Sequence, residues 1–342
     1  WCDLVNLENM KNATEFLEQV YKYLTHELVQ SKYKIPREII VFWQRLACAS
    51  ATNHPMLVDF LLLKVDNSVC RALILYLYQI DPKPSLEHLV HPLTFSGNSS
   101  FFQFHSGLHY NIFSRKDIAK NRLHLCNSIM IVFSDFVTDS MTQLLPHLHV
   151  GLTWALLFFN FPQEQEILAV FLRNVLESLL QNFETNQIGT QDLLAELRRI
   201  SGLLQHEHRR DLCWRDTNHS DSTLNPYASL LPQNTSTLLT AKDLIQVLTR
   251  SFQVIGAENL VKAWMNEVTC WFSSQFQPQL ILTALETFNE LQTTPSIHQT
   301  KTLIQCCAAT LQKFQYSIDN HTTDVIRSNR FEPKSPIKML SL

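Results

Sequence analysis

The sequence predicts an all-α fold of stacked antiparallel helix pairs, an α-solenoid, and three observations carry that prediction. The 342 residues hold only six glycines, where an average composition of ~7% would give roughly 24. Glycine lets a backbone approach phosphate closely, turn with positive φ or form tight hairpins. A chain this poor in it has little material for a phosphate-binding loop, a dinucleotide fold or a hairpin-rich sheet. Apolar residues recur with helical spacing along most of the chain. Prolines and small polar residues stand where helices begin.

The elements follow in order. Thr14 precedes a segment in which Phe16, Leu17, Val20, Leu24 and Leu28 share one face. Pro36, Pro55, Pro162, Pro278 and Pro295 each suit a first helical position, where a missing N–H costs nothing. Thr190 is placed to cap the stripe of Leu193, Leu194, Leu197, Ile200, Leu203 and Leu204. Thr240 and Asp243 have the spacing of a capping box, and Gly256 stands where a C-terminal cap is wanted. Helix starts near 14, 36, 55, 68, 114, 139, 162, 190, 241, 257, 278 and 296 pair into a unit of roughly 40 residues, the period of HEAT and armadillo repeats. A single pair cannot bury its apolar stripe alone, so pairs stack.

Two stretches interrupt the rhythm. Pro82–Phe113 carries three prolines and two glycines and reads as an irregular packed loop or a short strand pair. Asp211–Leu239 is polar and reads as a linker. The expected organisation is N-terminal repeats over 1–81, an irregular insertion over 82–113, central repeats over 114–212, a flexible linker over 213–239, C-terminal repeats over 240–320 and a disordered tail over 321–342. The expected core includes Trp43, Leu62, Leu75, Trp154, Phe171, Leu197, Trp264 and Leu285.

Asp66, Val69, Arg71, Ala72 and Leu73 resemble the start of the second helix of a HEAT repeat. The chain also has the look of segments of large helical-repeat scaffolds. The resemblance implies an armadillo/HEAT-like array that binds other proteins.

Composition narrows the chemistry. The chain is 45% hydrophobic and 17% charged, so it can bury a sizeable core and is not disordered overall. A net charge of −3 supplies no strong field, which argues against direct nucleic-acid partners and against a membrane partner. The strongest membrane candidate, Val150–Phe159, has ten residues, far short of the ~20 a span needs. Eight scattered cysteines without a C-x-x-C pair read as reduced core residues, and the expected location is intracellular, in cytoplasm or nucleus. Five N-x-[ST] sequons, at Asn12, Asn98, Asn218, Asn234 and Asn320, are close to chance and do not indicate secretion. The opening on Trp1 leads us to expect a segment of a longer protein.

No Walker loop, H-E-x-x-H, G-x-S-x-G or kinase signature is present. The densest metal-like group is His206-Glu-His208 with Cys213 and His219. Residues two apart on a helix do not face together, so it reads as a polar helix end. His147 with His149, and His105 with His109, read as core or surface histidines; Cys306-Cys307 reads as core. Glu164 and Glu166 read as first-turn acids that complement the helix dipole. Arg198, Arg199, Arg209 and Arg210 form a candidate basic interaction patch. Ser335-Pro336-Ile337-Lys338 matches the pattern preferred by proline-directed kinases, which makes Ser335 a candidate phosphorylation site.

The expected function is a non-catalytic protein-interaction scaffold with no cofactor and no metal. The alternatives are an all-helical regulator of a small GTPase acting through an exposed Arg or Asn, or a subunit of a nuclear or chromosomal assembly such as a meiotic recombination complex.

Overall fold

The computed structural model describes residues 6–10, 12–30, 35–50, 52–80, 82–97, 116–159, 161, 164–205, 239–272, 278–291, 294–306 and 308. Among them 86% are helical and none lies in a strand. The chain divides into two compact units, Trp1–Thr293 and Thr294–Leu342.

The first unit opens with a 3₁₀ turn at Leu7–Asn9, then α1 (Ala13–Gln30), α2 (Arg37–Cys48), α3 (Asn53–Leu62), α4 (Ser68–Ile80) and α5 (Pro82–Val90), with a second 3₁₀ turn at His91–Leu93. Next come α6 (Lys116–Phe158), α7 (Gln165–Asn186), α8 (Gln191–Gln205), α9 (Ala241–Val254), α10 (Glu258–Phe272) and α11 (Pro278–Glu290). The 43-residue α6 is interrupted at Ser140, whose φ of −153° and ψ of 53° are not helical. The sequence places a helix start at 139, next to this break.

Helix α6 organises the unit. It packs against α3, α4 and α5 on one hand and against α7, α10 and α11 on the other, while α8 packs on α7 and α9 on α8, α10 and α11. An ideal solenoid contacts only sequence neighbours; α10 and α11 instead return to α6. Polar ties fix the seams. Arg71 Nε donates to Asp135 Oδ2 at 2.9 Å and its Nη1 donates to the Val65 carbonyl at 2.9 Å, binding α4 to α6. Asn174 Nδ2 donates to Ser134 Oγ at 2.8 Å between α7 and α6. Arg71 belongs to the segment 66–73, and its ion pair gives that segment a concrete structural role.

The core runs through Phe133, Phe171, Phe183, Trp264 and Trp271, all fully buried. Of the expected core, Trp43, Leu62, Trp154, Phe171, Leu197 and Trp264 are buried. Leu75 and Leu285 are half-buried. On α4 the inward stripe is Leu73, Ile74, Leu77 and Tyr78, and on α11 it is Leu280, Thr283, Ala284 and Thr287. In each helix the leucine sits one position off the stripe.

Several helix ends match the sequence reading and others correct it. Thr240 Oγ1 accepts the Asp243 N–H at 3.0 Å, and Thr190 Oγ1 accepts the Leu193 N–H at 3.3 Å. Pro278 is the first residue of α11. Pro36 precedes α2 as its cap, and Pro55 is the third residue of α3. Thr14 lies inside α1, which starts one residue earlier. The expected irregular start of 82–113 is helical over Pro82–Val90. Pro82 and Pro84 both occupy the first turn, where no intrahelical N–H is required, and Leu86, Leu89 and Val90 supply the buried stripe. Pro162, residues 98–113 of that insertion, and the linker apart from Leu239 lie outside the described residues.

The second unit, over its described residues, is a helix at 297–306. A reciprocal capping box starts it: Gln299 N donates to Ser296 Oγ at 3.2 Å, and Ser296 N donates to Gln299 Oε1 at 2.6 Å. Pro295 therefore stands before the cap rather than at the first helical position. Cys306 is half-buried, and the tail with Ser335 lies outside the described residues.

Candidate functional site

The break in α6 has a local cause. Asp139 and Ser140 compete for backbone hydrogen bonds and are weak helix formers. Pro146, inside the second arm, has no N–H to give the carbonyl of Thr142. The Val137 carbonyl, just before the break, accepts the Ser178 hydroxyl of α7 at 3.1 Å.

A cleft of about 360 Å³ opens beside this break. Met141, Thr142 and Leu145 come from the second arm of α6, and Ser178, Leu179 and Asn182 from α7. Ile188, Val254 and Ile255 complete it. Two left-handed helix ends aim these last residues. Gln187 takes φ 54°, and the Ile188 N–H donates to the Phe183 carbonyl at 3.0 Å, closing α7 in a Schellman motif. At the end of α9, Gly256 takes φ 71°, its N–H donates to the Gln253 carbonyl at 3.0 Å, and the Ala257 N–H donates to the Phe252 carbonyl at 2.8 Å. These turns leave Ile188 and Ile255 at the cleft instead of in helix-facing positions.

Six of the nine lining side chains are apolar, three are neutral and polar, and none is charged. Val254 is 44% exposed at the rim. A surface of this kind suits an apolar side chain presented by a partner. The sequence reading marked Gly256 and the start near 139 but not the cleft, because its walls come from positions up to 114 residues apart, Met141 to Ile255.

The residues singled out in the sequence fall elsewhere. Arg198 Nη2 pairs with Glu184 Oε1 at 2.5 Å. Arg199 Nη2 pairs with Glu196 Oε1 at 2.6 Å and with Asp243 Oδ2 at 3.5 Å. The guanidinium beside Glu196 holds that carboxyl below its usual range. Both arginines are therefore neutralised by neighbouring acids, and Arg209 and Arg210 lie outside the described residues. So do His105, His109, His206, His208, Cys213, His219 and Cys307. His149 sits with Nδ1 unbonded, and burial, with His147 beside it, pushes its imidazole down to about 4. It is neutral at physiological pH. Glu166 is an exposed first-turn acid as expected. Glu164 is not: its side chain is 1% exposed and neither carboxylate oxygen has a hydrogen-bond partner.

Among the described residues no group of three or more His, Cys, Asp or Glu is placed to hold a metal ion. No described helix is long and apolar enough to cross a membrane. The architecture defines an all-helical protein organised about a broken central helix. Comparison with protein-family models, with curated proteins and with solved structures found no match.

Proposed function

We propose that the protein is a non-catalytic protein-interaction scaffold acting inside the cell. Its helix pairs, α6 with α7, α7 with α8 and α10 with α11, serve as the stacked units of an armadillo/HEAT-like array. The return of α10 and α11 onto α6 stiffens that array. The observation that carries the reading is the uncharged, mostly apolar cleft beside Ser140, held open by two left-handed helix ends. A scaffold holds partners by burying a few apolar anchors in such places. The partner is a protein that offers an apolar side chain on a short segment. Phosphorylation of Ser335, between Lys334 and Lys338, adds negative charge to the tail and tunes partner choice.

A GTPase regulator needs an unengaged Arg or Asn. Arg198 and Arg199, the described members of the candidate basic patch, are both paired with acids, which argues against that patch as the source of such a residue.

The test compares proteins captured from cell extract by the full chain carrying Val254→Asp or Met141→Asp with those captured by wild type and by Leu282→Asp. Leu282 is exposed and lies outside the cleft. The scaffold reading expects a defined set of proteins to be lost with both cleft variants and kept with Leu282→Asp. Identical sets for all four forms overturn it.

A further inference from the structure

Two carboxylates are drawn away from water in the first unit, and they are treated differently. Glu267 is satisfied: its Oε1 accepts the Phe95 N–H at 2.8 Å and the Trp271 indole N–H at 3.2 Å. Glu164 has no partner for either oxygen, although its side chain is almost wholly enclosed. It occupies the N-cap position of the 22-residue helix α7 and yet does not cap it. Its φ of −101° and ψ of −25° are in the helical region, whereas a capping residue takes an extended ψ.

The Phe161 carbonyl accepts the Glu164 N–H at 2.9 Å and the Gln165 N–H at 3.1 Å. The Phe161 ring lies 5.5 Å from that of Phe158, which stacks on Trp154 at 4.1 Å. The Glu164 N–H is thus held by the carbonyl of the residue whose ring reaches that aromatic stack.

A bare carboxylate cannot remain in such a site. Removing it from water without a donor or a counter-ion costs several kcal/mol. In the conformation observed, burial favours the protonated acid. Burial alone governs its proton affinity and pushes the acid up to about 7. The titratable groups on the two adjoining elements are Glu166, Arg173, Glu177 and Glu184 on α7 and His147 and His149 on the second arm of α6, and none of them acts on it.

Once ionised, the carboxylate has a better place nearby. The N–H groups of Glu166 and Ile167, second and third in α7, have no acceptor within the helix. They form the positive end of its dipole. Reaching them requires ψ of Glu164 to swing from the helical to the extended region, which parts the Gln165 N–H from the Phe161 carbonyl.

We propose that Glu164 is a proton-operated latch between α6 and α7: as a neutral acid it folds into the core and leaves α7 uncapped, and on giving its proton to solvent it turns outward to cap the first turn of α7, drawing Phe161 off Phe158. The latch responds to the shift between mildly acidic and mildly alkaline conditions.

The test is amide hydrogen exchange of the full chain between pH 6 and 8, corrected for the intrinsic rate. For a group that titrates near 7, the open fraction at the Glu164 and Gln165 amides rises about tenfold over that range. In Glu164→Gln the same amides show no such rise. Equal pH profiles in the two proteins overturn the proposal. Carboxyl NMR of glutamate-labelled wild type keeps the test decisive if the variant does not fold. A Glu164 midpoint above 4.5 with the Phe161 ring resonances shifting over the same pH range supports the latch; a midpoint near 4.5, or a raised one without that ring shift, overturns it.

Discussion

Gly151, on the second arm of α6, faces the ring of Phe133 on the first arm so closely that a Cβ would fall 2.7 Å from Phe133 Cδ1 and 2.8 Å from Phe171 Cζ. The Phe133 and Phe171 rings are stacked, 5.7 Å apart with an interplanar angle of 11°. The missing side chain is what lets the two arms of the broken helix close over this stack.

Gly151→Ala is therefore expected to destabilise, in spite of alanine's better helix propensity of about 1 kcal/mol. Overpacking of rigid rings costs on the order of 1–3 kcal/mol. Gly202, on α8, has nothing within 4 Å of a built Cβ. Gly202→Ala should stabilise by about 0.5–1 kcal/mol. Urea denaturation of the two variants checks both signs. A stabilising Gly151→Ala would mean that the rings yield.

Gln187 is the one non-glycine residue with positive φ among those described, at 54°. A side chain in that region costs about 1 kcal/mol relative to glycine. Gln187→Gly should raise stability by that amount and keep Ile188 at the cleft. The reverse holds at Gly256, with φ 71° and open space around it: Gly256→Ala loses about 1 kcal/mol through backbone strain alone. Thermal melts of the two variants should move in opposite directions.

These positions show how far the sequence was legible. Thr190, Thr240, Gly256 and Pro278 mark helix ends through local chemistry, and local chemistry is what a sequence displays. The break at Ser140 was legible for the same reason. Pro82 and Pro84 misled because proline serves equally as a breaker and as a first-turn residue, and the buried Leu86 and Leu89 decide between the two. Gln187 carried no signal: the backbone bond from the Ile188 N–H to the Phe183 carbonyl holds it where its own preference would not. The cleft and the burial of Glu164 depend on which helices meet, and a helical chain without a matching family offers no pairing information along its length.

Glu164 also makes global stability depend on pH in a defined direction. Its folded proton affinity is raised, from 4.5 to about 7. The folded state therefore binds more protons than the unfolded chain between those values, and stability falls as pH rises through that window. The loss amounts to about 3 kcal/mol at completion, less whatever the outward, capping conformation recovers. Glu164→Gln should remove this slope and be more stable than wild type at pH 8. Chemical denaturation at pH 5 and 8 measures it. A wild type that is no less stable at pH 8 than the variant contradicts the expectation.

Asn53, the first residue of α3, is wholly buried and joins three segments. Its Oδ1 accepts the Leu7 N–H at 2.8 Å, and its Nδ2 donates to the Leu46 carbonyl at 2.8 Å, at the end of α2. The amide is needed because it offers an acceptor and a donor at once. Asn53→Leu strands a buried N–H and a buried carbonyl and should cost on the order of 2–3 kcal/mol. Asn53→Asp separates the two roles. An ionised aspartate can accept from Leu7 but cannot donate to Leu46, and it places a charge in the core. A protonated one can do both. The aspartate in the folded variant thus holds its proton more tightly than in the unfolded chain, and the variant loses stability as pH rises from 4 to 7. Denaturation of both variants at the two pH values tests this. An Asn53→Leu protein as stable as wild type, or an Asn53→Asp protein indifferent to pH, would show that the amide contributes only its shape.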